Sequence, residues 1–182
     1  MKKGVAAVAN PSVSNYFELL ALPKQFELDD KQLRDVYLQM QRVCHPDQLA
    51  RKGATERIAA MQMSADMNAA YLTLKDPLKR AEYLLLLEGV TVGSEEGAIK
   101  PSQMLLMESM ELREGLMETD NAKGLSRIAD DAAEKLAQYK DDFAAHYTQK
   151  NMTKAAEAAI GWRLTAKFAS EINAKQKSIT AT

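Results

Sequence analysis

Residues 29–77 carry the strongest structural signal in the chain and read DDKQLRDVYLQMQRVCHPDQLARKGATERIAAMQMSADMNAAYLTLKDP. Apolar residues recur every three or four positions over 33–44 and again over 58–72, which is the spacing of one buried helical face. The first helix must end at His45, because the residue before a proline is disfavoured in the α region. The pattern therefore predicts two long antiparallel helices joined by a turn of about ten residues. The predicted inward residues are Leu33, Val36, Tyr37, Met40 and Val43 or Cys44 on the first helix, and Ile58, Met61, Ala65, Asn68 or Ala69, and Leu72 on the second.

The segments on either side of this hairpin are also expected to be helical. A short helix with the sequence YFELLAL begins after Asn15, whose side chain can cap it, and stops before Pro23. Another helix begins at Pro77, because proline is well suited to the first position of a helix. We therefore expect a compact group of four helices in the first half of the chain.

A glycine-containing segment, residues 89–100, divides the chain. It has no apolar periodicity, which is typical of a linker between domains. Beyond it, Ser102 and Asn121 can cap two helices, and a third runs past Ile172. Three helices joined by short turns form an antiparallel bundle. The predicted organisation is a flexible N-terminus at 1–14, a first domain at 15–88, a linker at 89–100 and a three-helix bundle at 101–182.

The composition favours an all-α protein. Aromatic residues are only 6% of the 182 residues, whereas strong helix formers recur throughout. Lys and Arg number 24 against 25 for Asp and Glu, so the chain lacks the positive charge expected of a nucleic-acid-binding protein. The single cysteine, Cys44, and the lack of any Cys/His cluster with zinc-ligand spacing predict a reducing compartment and no bound metal.

The first fourteen residues superficially resemble a signal peptide, because Lys2 and Lys3 precede a small apolar run. That run, from Val5 to Ala9, is too short for the core of a signal peptide. No stretch approaches the roughly 18 apolar residues of a membrane helix. We therefore expect a cytoplasmic protein with no membrane contact.

The tripeptide His45, Pro46 and Asp47 lies in the turn of the predicted hairpin. Pro46 forces the preceding residue into an extended conformation, so the imidazole and the carboxylate are displayed at the exit of a helix. The outer face of that helix carries Lys31, Arg34 and Arg42 within about 80° of arc. Such a cationic face suits an acidic partner, but an ordinary solvated helix face is the alternative.

A second unusual helix has the sequence PSQMLLMESMELREGLMETD, residues 101–120. Its inward face is defined by Leu105, Leu112 and Leu116, while Glu108, Glu111, Glu114 and Glu118 fall within about 120° of one another. Met107 lies within this acidic face, with Met110 and Leu106 along its edge. An exposed apolar strip rimmed by carboxylates is typical of a partner-binding site, and methionine is adaptable enough to serve one. The alternative is that Leu106, Met110 and Met117 merely contact the fourth helical segment or the first domain.

The N-terminal half of the chain resembles a J-domain, the module by which co-chaperones engage DnaK-type heat-shock ATPases. The resemblance is carried by NYFELLAL at 15–22, by the His-Pro-Asp tripeptide and by DPLKRAEY at 76–83. It implies that the tripeptide triggers ATP hydrolysis by the partner and that the basic helix docks on the ATPase domain. The implied chaperone-binding residues are His45, Pro46, Asp47, Lys31, Arg34 and Arg42.

The pattern L-M-E-x-x-E-L-R-E at 106–114, following a J-domain and a linker, is similar to the HscB family of J-type co-chaperones in iron-sulfur cluster biogenesis. In that family the C-terminal bundle binds the scaffold protein that carries the nascent cluster. The resemblance extends from about residue 15 to the end of the last helix. The implied scaffold-binding residues are Leu106, Met107, Met110, Glu111, Glu114, Glu118, Arg163 and Leu164.

Three positions depart from the family pattern. Leu164 stands where a phenylalanine is expected, Gly115 interrupts the acidic helix, and Cys44 precedes the tripeptide where the family favours an aromatic residue. The cysteine pairs that some eukaryotic relatives carry before the J-domain are absent, which implies a bacterial form without metal or other cofactor.

The resemblance thus implies an all-α adaptor, with an N-terminal J-domain helical hairpin and a C-terminal antiparallel three-helix bundle. Its expected partners are a DnaK-type, HscA-like ATPase chaperone and an IscU-like iron-sulfur cluster scaffold, with no nucleic acid and no membrane. A J-domain protein that serves a general chaperone with other clients is the alternative. An enzyme is not expected, because the chain has no Gly-rich phosphate loop, metal cluster or catalytic triad.

Overall fold

A computed structural model describes residues 15–43, 53–93 and 96–180. The described chain is all-helical, as predicted, and contains one isolated bridge between Val92 and Ile99. By contacts it divides into two compact units, residues 1–80 and 81–182. The helices are α1 Tyr16–Leu19, α2 Asp30–Val43, α3 Ala54–Lys75, α4 Pro77–Leu87, α5 Gln103–Glu118, α6 Ala122–Thr148 and α7 Met152–Thr180.

The predicted linker does not coincide with this division. The boundary between the units falls within α4, whose residues from Ala81 onward belong to the second unit. Ala81, Leu84 and Leu85 have no solvent exposure, and the Glu82 carboxylate accepts a hydrogen bond from α7. Since this half of α4 is apolar and packed, the contacts place it with the bundle. The domain limits that the sequence analysis gives, 15–88, 89–100 and 101–182, remain a prediction.

Helix α1 is shorter than predicted. Asn15 caps it, as its side-chain oxygen accepts from the backbone N–H of Glu18 at 3.0 Å. The helix ends at Leu19 rather than at Leu22, because Ala21 adopts a left-handed conformation with φ 50°. The backbone N–H of Leu22 then donates to the carbonyl of Phe17 at 2.8 Å, which closes the helix as in a Schellman motif.

The first unit is built on the predicted α2–α3 hairpin. The Tyr37 and Tyr71 rings stack across it with centroids 4.0 Å apart. Phe17 and Leu33 are almost fully buried, and Leu74 on α3 is fully buried. These contacts hold α1 and α2 against the same helix and fix which side of α3 faces the core.

The predicted inward stripe of α3 is wrong. Its true core face is Met67, Ala70 and Leu74, whereas Ile58 and Met61 are 69% and 70% exposed. Helix α3 has two apolar faces. The periodicity of the sequence therefore predicts that one face is buried but does not show which of the two it is. The Tyr37–Tyr71 stack and the packing of Phe17 place the face of Met67, Ala70 and Leu74 in the core. The remaining residues of the predicted stripe, Ala65, Asn68, Ala69 and Leu72, are also exposed.

In the second unit, α6 and α7 pack along each other, and α5 lies mainly against α7. Helices α5, α6 and α7 are joined by turns of three residues and form the predicted antiparallel bundle. Part of the core joins all three helices through Leu116, Leu125, Ala132, Phe168 and Ile172. The bundle therefore presents one outer face of α5 away from its core.

A close contact between α6 and α7 gives a stability prediction. A Cβ atom built on Gly161 would overlap the Tyr139 ring, whereas one built on Gly115 in α5 meets nothing within 4 Å. We expect Gly161→Ala to lower the free energy of unfolding by about 1–3 kcal/mol, because overpacking outweighs the gain in helix propensity. Gly115→Ala is the matched control and should raise it by up to about 1 kcal/mol. Thermal or urea unfolding measures the free energy of unfolding of both variants. Equal changes in the two variants would contradict the close packing of Gly161 against Tyr139.

Candidate functional site

The basic face of α2 is held outward by the hairpin. Asp29 caps the helix, since its Oδ1 accepts from the backbone N–H of Lys31 at 2.8 Å. Leu33 faces the core at 1% exposure, so the opposite side of the helix is in solvent. Lys31, Arg34 and Arg42 all lie exposed on that side, where the sequence predicts them.

A residue that the sequence analysis missed lies within this basic face. Leu38 is 44% exposed and is four residues from both Arg34 and Arg42, so its side chain lies between theirs on the helix surface. The same helical spacing that groups the three basic residues includes Leu38. The face is thus an apolar centre with a cationic rim. The other half of the predicted chaperone site, His45, Pro46 and Asp47, lies outside the described residues.

The outer face of α5 is the second candidate site. Ser102 caps this helix by accepting from the backbone N–H of Leu105 at 3.3 Å. Met107 and Met110 are 55% and 69% exposed, so neither is buried against another helix of the bundle. With Leu106, also exposed, they form what we call the methionine strip. The exposed carboxylates alongside it are Glu111, Glu114 and Glu118.

Glu108 does not belong to this acidic face, contrary to expectation. It turns inward, where Lys135 Nζ forms an ion pair with it and Tyr139 donates a hydrogen bond at 3.1 Å. The hydrogen bond from Lys135 lowers the pKa of the Glu108 carboxyl, although partial burial opposes this. Burial, followed by the charge of Glu108, raises the pKa of Tyr139 to about 12. Glu108 therefore attaches α5 to α6 as a carboxylate instead of facing a partner.

Further polar contacts fix the rotation of α5 about its axis. Arg113 Nε donates to Glu171 of α7 at 3.1 Å, and a second bond from the guanidinium to the Ser109 carbonyl of α5 itself, at 3.2 Å, orients the Arg113 side chain. At the end of the helix, Lys175 Nζ donates to the Leu116 carbonyl at 2.7 Å. A cation at this end offsets the negative end of the helix dipole, near which the carboxylates are crowded. These contacts keep the methionine strip facing outward.

The two predicted residues of α7 contact different helices. Arg163 Nη1 donates to Glu82 at 3.2 Å. Leu164 is partly buried and lines a cavity of about 10 Å³ between α5 and α7, together with Leu105 and Leu112. Because those leucines form the inner face of α5, Leu164 is on the side of the helix away from the strip. The predicted residues of α5 thus share an outer face, whereas Arg163 pairs with α4 and Leu164 packs on the inner side of α5.

Neither a metal site nor a spanning helix occurs in the part of the chain that the structure describes. No three His, Cys, Asp or Glu side chains there could hold a metal ion. None of the helices in residues 15–43, 53–93 and 96–180 is both long and apolar enough to cross a membrane.

Two family models match the chain, one in each half. Residues 15–83 match the DnaJ domain, and residues 101–173 match the HSCB C-terminal oligomerisation domain. The first match includes α1 to α3 and most of α4, and the second includes α5, α6 and most of α7.

The chain is also similar to proteins named as HscB co-chaperones. A co-chaperone protein HscB homolog of Vibrio cholerae is 49% identical over 102 residues, which are 56% of this chain and 59% of that protein. The homolog of Shewanella loihica is 36% identical over 136 residues, or 75% of this chain and 78% of that protein. The solved structure of the chaperone HscB from Vibrio cholerae has a TM-score of 0.80 and 34% identity, covering 91% of this chain and 99% of its own.

Proposed function

Because this chain belongs to the HscB family of J-domain co-chaperones, we propose that it brings an iron-sulfur cluster scaffold protein to a DnaK-type ATPase chaperone. There it stimulates ATP hydrolysis, and it performs no catalysis of its own. The chaperone is of the HscA type, and the scaffold resembles IscU. Both partners are bound by one chain, so the client is concentrated near the chaperone.

The observation that carries this proposal is the exposure of the methionine strip. Leu106, Met107 and Met110 lie in solvent on a well-packed helix, and the core of the bundle does not use them. Adaptable apolar side chains beside a carboxylate rim are a suitable anchor for a protein partner. The rim consists of Glu111, Glu114 and Glu118, which would guide association and orientation more than they add affinity.

Arg163 and Leu164 are proposed as peripheral members of the scaffold site. Arg163 is partly exposed despite its ion pair with Glu82, so it remains within reach of a partner. Leu164 is partly buried beside α5 and would act by supporting that helix. Variants at these two positions should therefore have smaller effects than variants in the methionine strip.

A binding experiment tests the proposal against its alternative. The full chain, immobilised, should retain an iron-sulfur scaffold protein and a DnaK-type chaperone from a bacterial extract. The purified chain should then raise the ATPase rate of that chaperone. Retention of a broad range of unfolded clients, without the scaffold, would instead indicate a J-domain protein of a general chaperone.

The basic face of α2 should bind the chaperone electrostatically. Raising the ionic strength to 1 M reduces the Debye length to about 3 Å, so affinity should fall with salt. Arg34→Glu should weaken binding further and reduce the salt dependence, because it removes one charge and inserts the opposite one. Lys123→Glu, an exposed reversal on α6, is the matched control and should have little effect. Titration of the chaperone at several salt concentrations measures these affinities. Wild-type affinity of Arg34→Glu would refute electrostatic binding by the basic face of α2.

A further inference from the structure

The outward face of α3 is an apolar stripe without a role in the core. It comprises Ile58, Met61, Ala65, Ala69 and Leu72, which fall within about 80° of arc at 100° per residue. The large members Ile58 and Met61 are mostly in solvent, and Leu72 is 52% exposed. The stripe is about 21 Å long at 1.5 Å per residue. A continuous stripe of this kind differs from the scattered apolar residues of an ordinary surface.

The stripe is joined to the basic face of α2 by a line of polar side chains. Tyr37 Oη donates to Asn68 at 3.1 Å, and Gln41 Nε2 donates to the Tyr37 hydroxyl at 3.1 Å. Asn68 is three residues from Ala65 and four from Leu72, so it borders the stripe. On the other helix, Gln41 is three residues from Leu38 and borders the basic face. One continuous surface therefore extends from α3 across this seam to α2.

The size of the stripe indicates that it is part of a larger contact. A strip about 21 Å long and about 10 Å wide, the width of one helix, has an area of about 200 Å². A stable interface buries about 800 Å² on each partner. The stripe alone is thus too small to hold a second copy of this chain. It can instead add area to an interface in which a partner also contacts the neighbouring face of Arg34, Leu38 and Arg42.

We propose that the exposed stripe of α3 and Leu38 of α2 form an apolar extension of the surface that binds the ATPase chaperone. This inference rests on the proposed function. The chaperone surface that fits it is acidic opposite Lys31, Arg34 and Arg42, and apolar opposite Leu38, Met61 and Leu72. Charge brings the two proteins together, and the apolar contact retains them, so part of the binding persists when salt screens the charges.

The double variant Met61→Gln with Leu72→Gln tests the extension. Both side chains are largely in solvent, so the melting temperature should stay near that of the wild type. Affinity for the purified chaperone in the presence of ATP should fall about fivefold or more, with an unchanged dependence on salt. Met104→Gln, a change at an exposed methionine of α5, is the matched control and should bind like the wild type.

A second variant, Leu38→Gln, tests the apolar centre on the other helix. It should also weaken binding and preserve the salt dependence, whereas Arg34→Glu should reduce that dependence. Wild-type affinity in both apolar variants would overturn the extension while leaving the proposed function intact. Failure of the wild-type chain to bind or stimulate any DnaK-type chaperone would instead overturn the proposed function. Self-association of the wild type that is lost in the double variant, without a change in chaperone affinity, would assign the stripe to a dimer and overturn the proposal.

Discussion

His45→Gln should abolish stimulation of the chaperone ATPase while the protein stays folded. Glutamine retains a polar side chain of similar length but lacks the imidazole ring that the family resemblance makes the trigger. The tripeptide is predicted to lie in an exposed turn, so the substitution should leave the packing of the α2–α3 hairpin unchanged. The change in unfolding free energy should stay within the roughly 0.5 kcal/mol typical of surface variants. Steady-state ATP hydrolysis with and without the variant gives the result.

The chain provides its own control for this experiment. His146 on α6 is the other of the two histidines, and it lies in the second unit. His146→Gln should therefore preserve stimulation at temperatures where the variant is folded. Full stimulation by His45→Gln would contradict the assignment of the first unit as a functional J-domain.

Met107→Ala combined with Met110→Ala should weaken scaffold binding at least tenfold, or by about 1.4 kcal/mol. The two side chains are the most exposed part of the methionine strip, so their truncation removes partner contacts without opening a cavity. Unfolding free energy should change little, whereas truncation of the buried Leu116 should cost about 2–5 kcal/mol. Calorimetric titration with the scaffold protein measures the affinity.

Two controls make this experiment specific. Met61→Ala changes a methionine of similar exposure on α3, in the other unit, and should bind the scaffold like the wild type. The double variant should also stimulate the chaperone ATPase normally in the absence of scaffold, because the residues that we propose as the trigger belong to the other unit. Unchanged scaffold affinity, or a collapse of the melting transition, would show that the site lies on another face.

The contrast between α3 and α5 shows when helical periodicity is enough to predict which face of a helix is buried. On α5, the leucines at 105, 112 and 116 are separated from a face rich in carboxylates, so the inner face could be predicted. On α3, alanine, methionine and leucine occupy two faces. The aromatic partners Phe17 and Tyr37 come from other helices and decide which face is buried.

Single side chains within a correctly predicted helix show the same dependence on neighbours. Glu108 is grouped with the outer carboxylates by its position in the sequence, yet Lys135 and Tyr139 of α6 draw it inward. Leu164 is adjacent to Arg163, but the two contact different helices. Such pairings join residues far apart along the chain, and no local pattern contains them.

Local sequence patterns were enough to predict the helical class and most helix ends, and they also pointed to the exposed residues of α2 and α5 that we propose as binding surfaces. Caps such as Asn15 and Ser102 act over three residues, and the restriction before a proline acts over one, so these signals are local. Contacts between residues far apart in the chain fix the buried face of α3, the inward turn of Glu108 and the assignment of the second half of α4 to the bundle. The physical reason is that burial is a competition between faces of similar hydrophobicity, and its outcome depends on which distant side chains fit them.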